Sequence, residues 1–206
     1  MTDIDLTAVY RAPLPLVAAK KQDRLDAAST EFIRRCTFAV LSTHDADGNC
    51  DASPRGGPAG FLVPVDDRRI VIGDMNGNNL LDSIRNIAAT RKIGMLMIHA
   101  GRSETLRLNG SAQLSTDSAH LDLFVPVMAR PKLAIVVEVA EVYVHCAKAV
   151  RRGRLFDPSL WADLADAPDA ADIVASQFAI PDPEQFRAAL EAGYEQDLDA
   201  DKPANR

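Results

Sequence analysis

Ser53, Arg55, Gly56 and Gly57 fall together in the stretch DASPRGGPAGFL, residues 51–62. A guanidinium is a planar fork suited to an anion, and glycine lets backbone approach a ligand closely. A polar loop of this make-up is equipped to hold an anion, although turns alone use the same residue types. A second group lies in GDMNGNNLLDSIRNIA, residues 73–88. There Asn76, Asn78 and Asn79 place uncharged amide donors just ahead of a helical pattern. The first turn of a helix has unpaired N–H groups and the positive end of the macrodipole, an anion site in waiting. Asparagines also cap helices and fill left-handed positions without any ligand. Asp82 in the first turn suits the dipole but repels a phosphate unless it points away.

Arg107 is the third candidate. In TLRLNG it alternates with Leu106 and Leu108, so it shares with Thr105 the face turned away from the core. There it is a solvated cation, or an anion partner if a ligand or a second subunit covers that face. His145 and Cys146 adjoin the basic run KAVRRGR, residues 148–154. A histidine at a strand end is more often structural than catalytic, and no catalytic acid or base is assigned.

Cys36, Cys50 and Cys146 are widely spaced, no CxxC occurs, and His44, His99, His120 and His145 form no close pair. No metal site is expected, and the thiols read as reduced in a cytoplasmic protein. The N-terminus lacks a basic region followed by an apolar run, so no secretory signal is read. No apolar stretch approaches the ~20 residues of a membrane span. A net charge of −6 argues against a surface built for nucleic acid or anionic membrane.

These residues need elements to position them. A helix is expected from Asp23, carrying Leu25, Ala28, Phe32 and Ile33 on one face. Strands are expected at 37–43, 61–65, 69–74, 92–100, 105–114 and 133–146, the first followed by a turn with Asp47-Gly48 at its tip. Leu80, Leu81, Ile84, Ile87 and Ala88 predict a helix from Asn78 or Asn79. Along 133–146 the apolar alternation runs through Ile135, Val137 and Val139, then changes phase to Val142 and Val144, which predicts a β-bulge near Ala140–Glu141. Six strands joined mostly by short turns imply an antiparallel barrel, mainly β with flanking helices. Residues 1–22 read as an extended arm and 23–158 as the barrel. Residues 159–206 read as a helical extension packed on the barrel or on a partner, with a short helix near Ser159 and a capped one from Asp182-Pro183.

The ordered stretches DASPRGGPAGFL, GNNLLDSIRN, ETLRLNGSA and HCAKAVRRGRLFDP resemble the split-barrel flavoproteins of the pyridoxamine 5′-phosphate oxidase-like superfamily, over residues 23–158. They are most similar to the branch marked by Ser-Pro-Arg-Gly and Thr-Leu-Arg-x-Asn-Gly. The resemblance implies a six-stranded split barrel that forms a homodimer with FMN at the subunit interface. By position, Ser53, Arg55 and Gly56 line the flavin, and Asn76, Asn78 and Asn79 meet the phosphate or ribityl chain. Thr105 and Arg107 reach the cofactor from a neighbouring strand, with Lys148 or Arg152 coming from the partner subunit. The implied activity is an FMN-dependent oxidoreductase of a small molecule, or else a non-catalytic binder of flavin or haem. Gly77-Asn78-Asn79 stands where a cationic Ser-Arg-Lys-like turn is usual, so the resemblance does not extend to a B6 substrate.

Overall fold

The computed structural model describes residues 3–161 and 167–204. The N-terminal arm forms two helical turns, α1 (Leu6–Val9), capped by Asp5, and α2 (Pro15–Ala19), with proline at its start, rather than the extended chain expected. The arm is fastened by a bridge between Gln22 and Val142. Helix α3 (Ala27–Arg35) starts later than its apolar pattern implies, because Asp26 rather than Asp23 caps it through Ser29 N.

The barrel wall is one antiparallel sheet. Its strands in chain order are β1 (Phe38–His44), β2 (Cys50–Gly56), β3 (Leu62–Pro64), β4 (Arg69–Asp74), β5 (Lys92–Ile98), β6 (Thr105–Ser115) and β7 (Leu133–His145). They lie side by side in the order β2-β1-β5-β6-β7-β4-β3. The six expected strands are present, and the split-barrel architecture with flanking helices is as the sequence implies. The seventh strand, β2, occupies the stretch read as a polar loop. It forms the sheet's edge, where a proline costs least because its missing N–H need not enter a ladder.

Helix α4 (Asp82–Thr90) joins β4 to β5, and α5 (Ser118–Leu121) with a 3₁₀ turn at Asp122–Phe124 joins β6 to β7. Ile70, Ile72, Leu108 and Ile135 from the strands meet Phe61, Phe124 and Met128 from the connections in a fully buried core. The predicted bulge is there: Asn109 faces Glu141 and Gly110 faces Val139, leaving Ala140 unmatched. Gly110 is obligatory at this point, since a Cβ on it would lie 2.0 Å from the Glu138 carbonyl oxygen.

Beyond β7 come α6 (Lys148–Arg152), a 3₁₀ turn at Pro158–Leu160, α7 (Ala170–Phe178) and α8 (Pro183–Ala200). Asp182 caps α8 through Gln185 N, as its sequence predicts. Arg187 of α8 bonds to Asp169 and Asp172 at the start of α7, each at 2.7 Å, tying the two helices together. Among the described residues no helix is long and apolar enough to cross a membrane.

Candidate functional site

Strand β2 pairs with β1 so that Arg55 stands opposite Ala39 and Ser53 opposite Leu41. Side chains directly opposite in a ladder share a face. Ala39 and Leu41 are fully buried, so Asp51, Ser53 and Arg55 all turn toward the interior side of the sheet. At this open edge that side is a cleft of about 650 Å³. The glycine after Arg55 sits in the cleft wall as well.

The opposite wall is the polar segment after β4. Asn79 and Leu81 both adopt left-handed backbone, with φ of 59° and 61°. Asn78 Oδ1 accepts from Leu80 N at 3.1 Å. These turns delay the helix: α4 begins at Asp82 with Leu81 as an N-cap that makes no side-chain bond. The asparagines are therefore a loop in front of the helix, which starts at Asp82 rather than at Asn78 or Asn79 as expected. They nevertheless line the cleft with Ser53, Arg55 and Gly56, as do Asn76 and Gly77.

A polar rivet fixes the two walls. Ser83 Oγ, in the first turn of α4 and 2% exposed, donates to Asp51 Oδ2 at 2.7 Å. Asn86 Nδ2 donates to Thr43 Oγ1 at 3.0 Å. Helix α4 is thereby held to both β2 and β1.

Arg55 is held loosely. Its Nη1 donates to Ser53 Oγ at 2.6 Å and to the Pro54 carbonyl at 2.9 Å. Its Nε, hidden from solvent, has no hydrogen-bond partner. The nearest carboxylate, Asp74, stands 4.0 Å away, beyond hydrogen-bond range. Burial raises the Asp74 carboxyl above its ordinary value, and the Arg55 charge offsets part of that rise. An acceptor entering the cleft would find an unused donor on Arg55.

Two cations that the sequence reading missed complete the cleft, Arg130 and Lys132. The run Ala129-Arg130-Pro131-Lys132 just before β7 was their signal. Arg130 is engaged by Asp122 at 2.6 Å. The end of α8 also reaches the cleft. Asn76 Nδ2 donates to Asp201 Oδ1 at 3.2 Å, and Ala129 N donates to the Asp201 carbonyl at 2.8 Å.

Thr105 and Arg107 lie elsewhere. Arg107 pairs with Leu96, which pairs with Val40, which pairs with Pro54. That register puts Arg107 on the outer face, in a second hollow of about 650 Å³ bordered by Val40, Leu96, Thr105 and the α6 residues Ala149 and Val150. Its guanidinium lies 5.2 Å from the centre of the Tyr143 ring, which Lys20 and Lys21 also approach. Lys21 in turn pairs with Glu141 at 2.8 Å, and that bond pushes the lysine up and the carboxyl down from their ordinary values. His145 and Cys146 also line this hollow, and His145 Nδ1 is buried without a partner. Lys148 and Arg152 stand exposed on α6, outside the lining of both hollows. Among the described residues no three His, Cys, Asp or Glu side chains converge as a metal site.

Comparison with known proteins gives a family match and a set of structural neighbours. The family model described as pyridoxamine 5′-phosphate oxidase matches residues 25–146. No curated protein matches the chain by sequence. Among solved structures, HupZ of Group A Streptococcus is 19% identical, with 57% of this chain and 91% of that one covered at a TM-score of 0.48. HutZ, the haem storage protein from Vibrio cholerae, is 15% identical, with 59% and 94% covered at a TM-score of 0.41. General Stress Protein 26 from Bacillus anthracis is 16% identical, with 56% and 88% covered at a TM-score of 0.39.

Proposed function

Because the chain belongs to the pyridoxamine 5′-phosphate oxidase family, which spans residues 25–146, we propose that it is an FMN-binding oxidoreductase of a small molecule. The observation that carries this reading is the buried, unpartnered Nε of Arg55 facing a cleft lined by Asn76, Asn78 and Asn79. An arginine nitrogen without an acceptor in a dry site is costly unless a ligand supplies one. The FMN phosphate and ribityl hydroxyls are acceptors of that kind. Arg55 would bind the charge, with Ser53 orienting the guanidinium. The asparagines would donate to oxygens without adding charge, and Arg130 and Lys132 would offset the local carboxylates.

The outer hollow, lined by Val40, Leu96 and Thr105, offers the apolar wall that a flat ring system needs, but on the other face of the sheet. We therefore place the cofactor between two copies of the chain, with the Arg55 cleft of one meeting the Arg107 face of the other. Bound there, the flavin supplies the redox chemistry, and the protein orients it and limits solvent access. Lys148 and Arg152, exposed on α6, would contact the cofactor only from a partner copy.

The purified protein tests this directly. It should be yellow, release FMN on denaturation, be bleached by NADH or NADPH and regain its colour in air. Colourless protein that takes up no added FMN would end the reading. A second reading, a non-catalytic holder of flavin or haem, is favoured by the free Nδ1 of His145 beside the apolar hollow. A Soret band after haem addition that is lost in His145→Ala would favour it.

A further inference from the structure

Asp201 enters the cleft from outside the barrel. It lies at the C-terminal end of α8, 125 residues from Asn76 in sequence, yet its carboxylate accepts from the Asn76 amide. The other carboxylates in the cleft wall belong to the barrel itself: Asp51 accepts from Ser83, Asp74 stands 4.0 Å from Arg55, and Asp82 stands 3.9 Å from Arg85. Asp201 alone is brought there by the helical extension. Its anchor is separate from its side chain, because the backbone carbonyl holds Ala129 N while the carboxylate holds Asn76.

We propose that Asp201 is a specificity-determining residue whose carboxylate stands in for the ligand's anionic group on Asn76 and must swing aside when a phosphate binds. This rests on the FMN reading and adds an intramolecular competitor to it. Three features make the competitor displaceable. Its bond to the Asn76 side chain is 3.2 Å long and exposed, and its only other hydrogen-bond support among the described residues comes from the Asn76 backbone N–H. Burial raises the Asp201 carboxyl above its ordinary value despite the hydrogen bonds from Asn76, so docking has a desolvation cost that those bonds must offset. The backbone anchor lets the side chain rotate without releasing α8. A dianionic phosphate near the Asp201 carboxylate would also be repelled by it, which penalises FMN over riboflavin.

The test compares FMN and riboflavin binding, by flavin fluorescence quenching, for the full-length wild-type chain, Asp201→Ala and Asp201→Asn. Asp201→Ala is expected to bind FMN about three- to tenfold tighter, the range of one net hydrogen bond, with riboflavin affinity unchanged. Asp201→Asn, which keeps the acceptor but loses the charge, is expected to fall between. Hydrogen exchange at the Ala129 amide should be equally protected in all three proteins. Equal FMN affinities in wild type and Asp201→Ala would overturn the proposal while leaving the cofactor reading intact. Equal tightening toward riboflavin, or loss of Ala129 protection alongside the gain, would overturn it too. If no variant binds either flavin, the cofactor reading falls and takes this proposal with it.

Discussion

Arg55 and Arg107 point away from opposite faces of one sheet. The register that aligns Arg55 with Ala39, Met97 and Leu106 aligns Arg107 with Leu96, Val40 and Pro54, one residue out of phase. One copy of the chain therefore presents the two guanidinium groups on opposite sides of its sheet.

That geometry makes a complementation prediction. Arg55→Ala and Arg107→Ala should each weaken FMN binding by about 1–3 kcal/mol, the cost of losing a charged hydrogen bond. In a two-fold dimer whose sites take Arg55 from one copy and Arg107 from the other, mixing the two variants regenerates intact sites. Random re-pairing would restore wild-type affinity in roughly a quarter of all sites. Titration of the re-paired mixture should show that fraction, and its complete absence would place both arginines in one subunit's site.

Two strand glycines, the half-buried Gly110 and the buried Gly73, should respond differently to alanine. At Gly110 the new methyl meets the Glu138 carbonyl oxygen at 2.0 Å, a backbone atom held in the ladder. At Gly73 it meets the Met128 Cε at 2.4 Å, the free end of a flexible chain. Gly110→Ala is expected to cost about 3 kcal/mol or more and Gly73→Ala about 1–2 kcal/mol, since methionine can swing where a strand cannot. Urea unfolding midpoints of the two variants would reverse that order if the bulge is pliable.

Asp51 is predicted to matter for the cleft through Ser83. Asp51→Ala leaves a buried hydroxyl without its acceptor, costing about 1–3 kcal/mol of stability. Asp51→Asn keeps an acceptor and should lose less. Backbone amide shifts of residues 79–84 should move in the alanine variant, and silence there would remove the rivet from the account.

The buried Asp74 carboxyl gives a pH signature. Its folded value is raised above the ordinary 3.8 by burial, so the folded chain holds that proton more tightly than the unfolded chain does. Its contribution to stability is therefore full below pH 3.8 and declines as pH rises through the folded value. Asp74→Asn should remove this decline, flattening the stability profile in that acidic window. An identical profile in wild type and variant would contradict the raised value.

Most of the barrel was legible because its strands are half buried, and alternation records a half-buried face. The phase change from Val139 to Val142 even located the bulge. Strand β2 was illegible for a physical reason: its inward side chains, Asp51, Ser53 and Arg55, face a polar cleft instead of the core, so no apolar alternation marks it. The start of α4 was misplaced because Leu80 and Leu81 fit the helical stripe, although they are 61% and 44% exposed and belong to a turn held by left-handed residues. The asparagines and Arg55 line one cleft, whereas the separation of Arg107 follows from a cross-strand register no local pattern encodes. Asp201 gave no signal at all, since its role depends on where a distant helix ends.

The bulge opposite Gly110 carries one more implication. Ala140 is the surplus residue, and without it Val139 would still follow Glu141 into the same pairing and the same facing. What would vanish is the local crowding that brings the Glu138 carbonyl over position 110. A bulge bends the strand that carries it, and here it comes as a pair: an added residue on one strand and a withheld side chain on its neighbour. A chain shortened by that single alanine should tolerate an ordinary residue at position 110, at the expense of the bend.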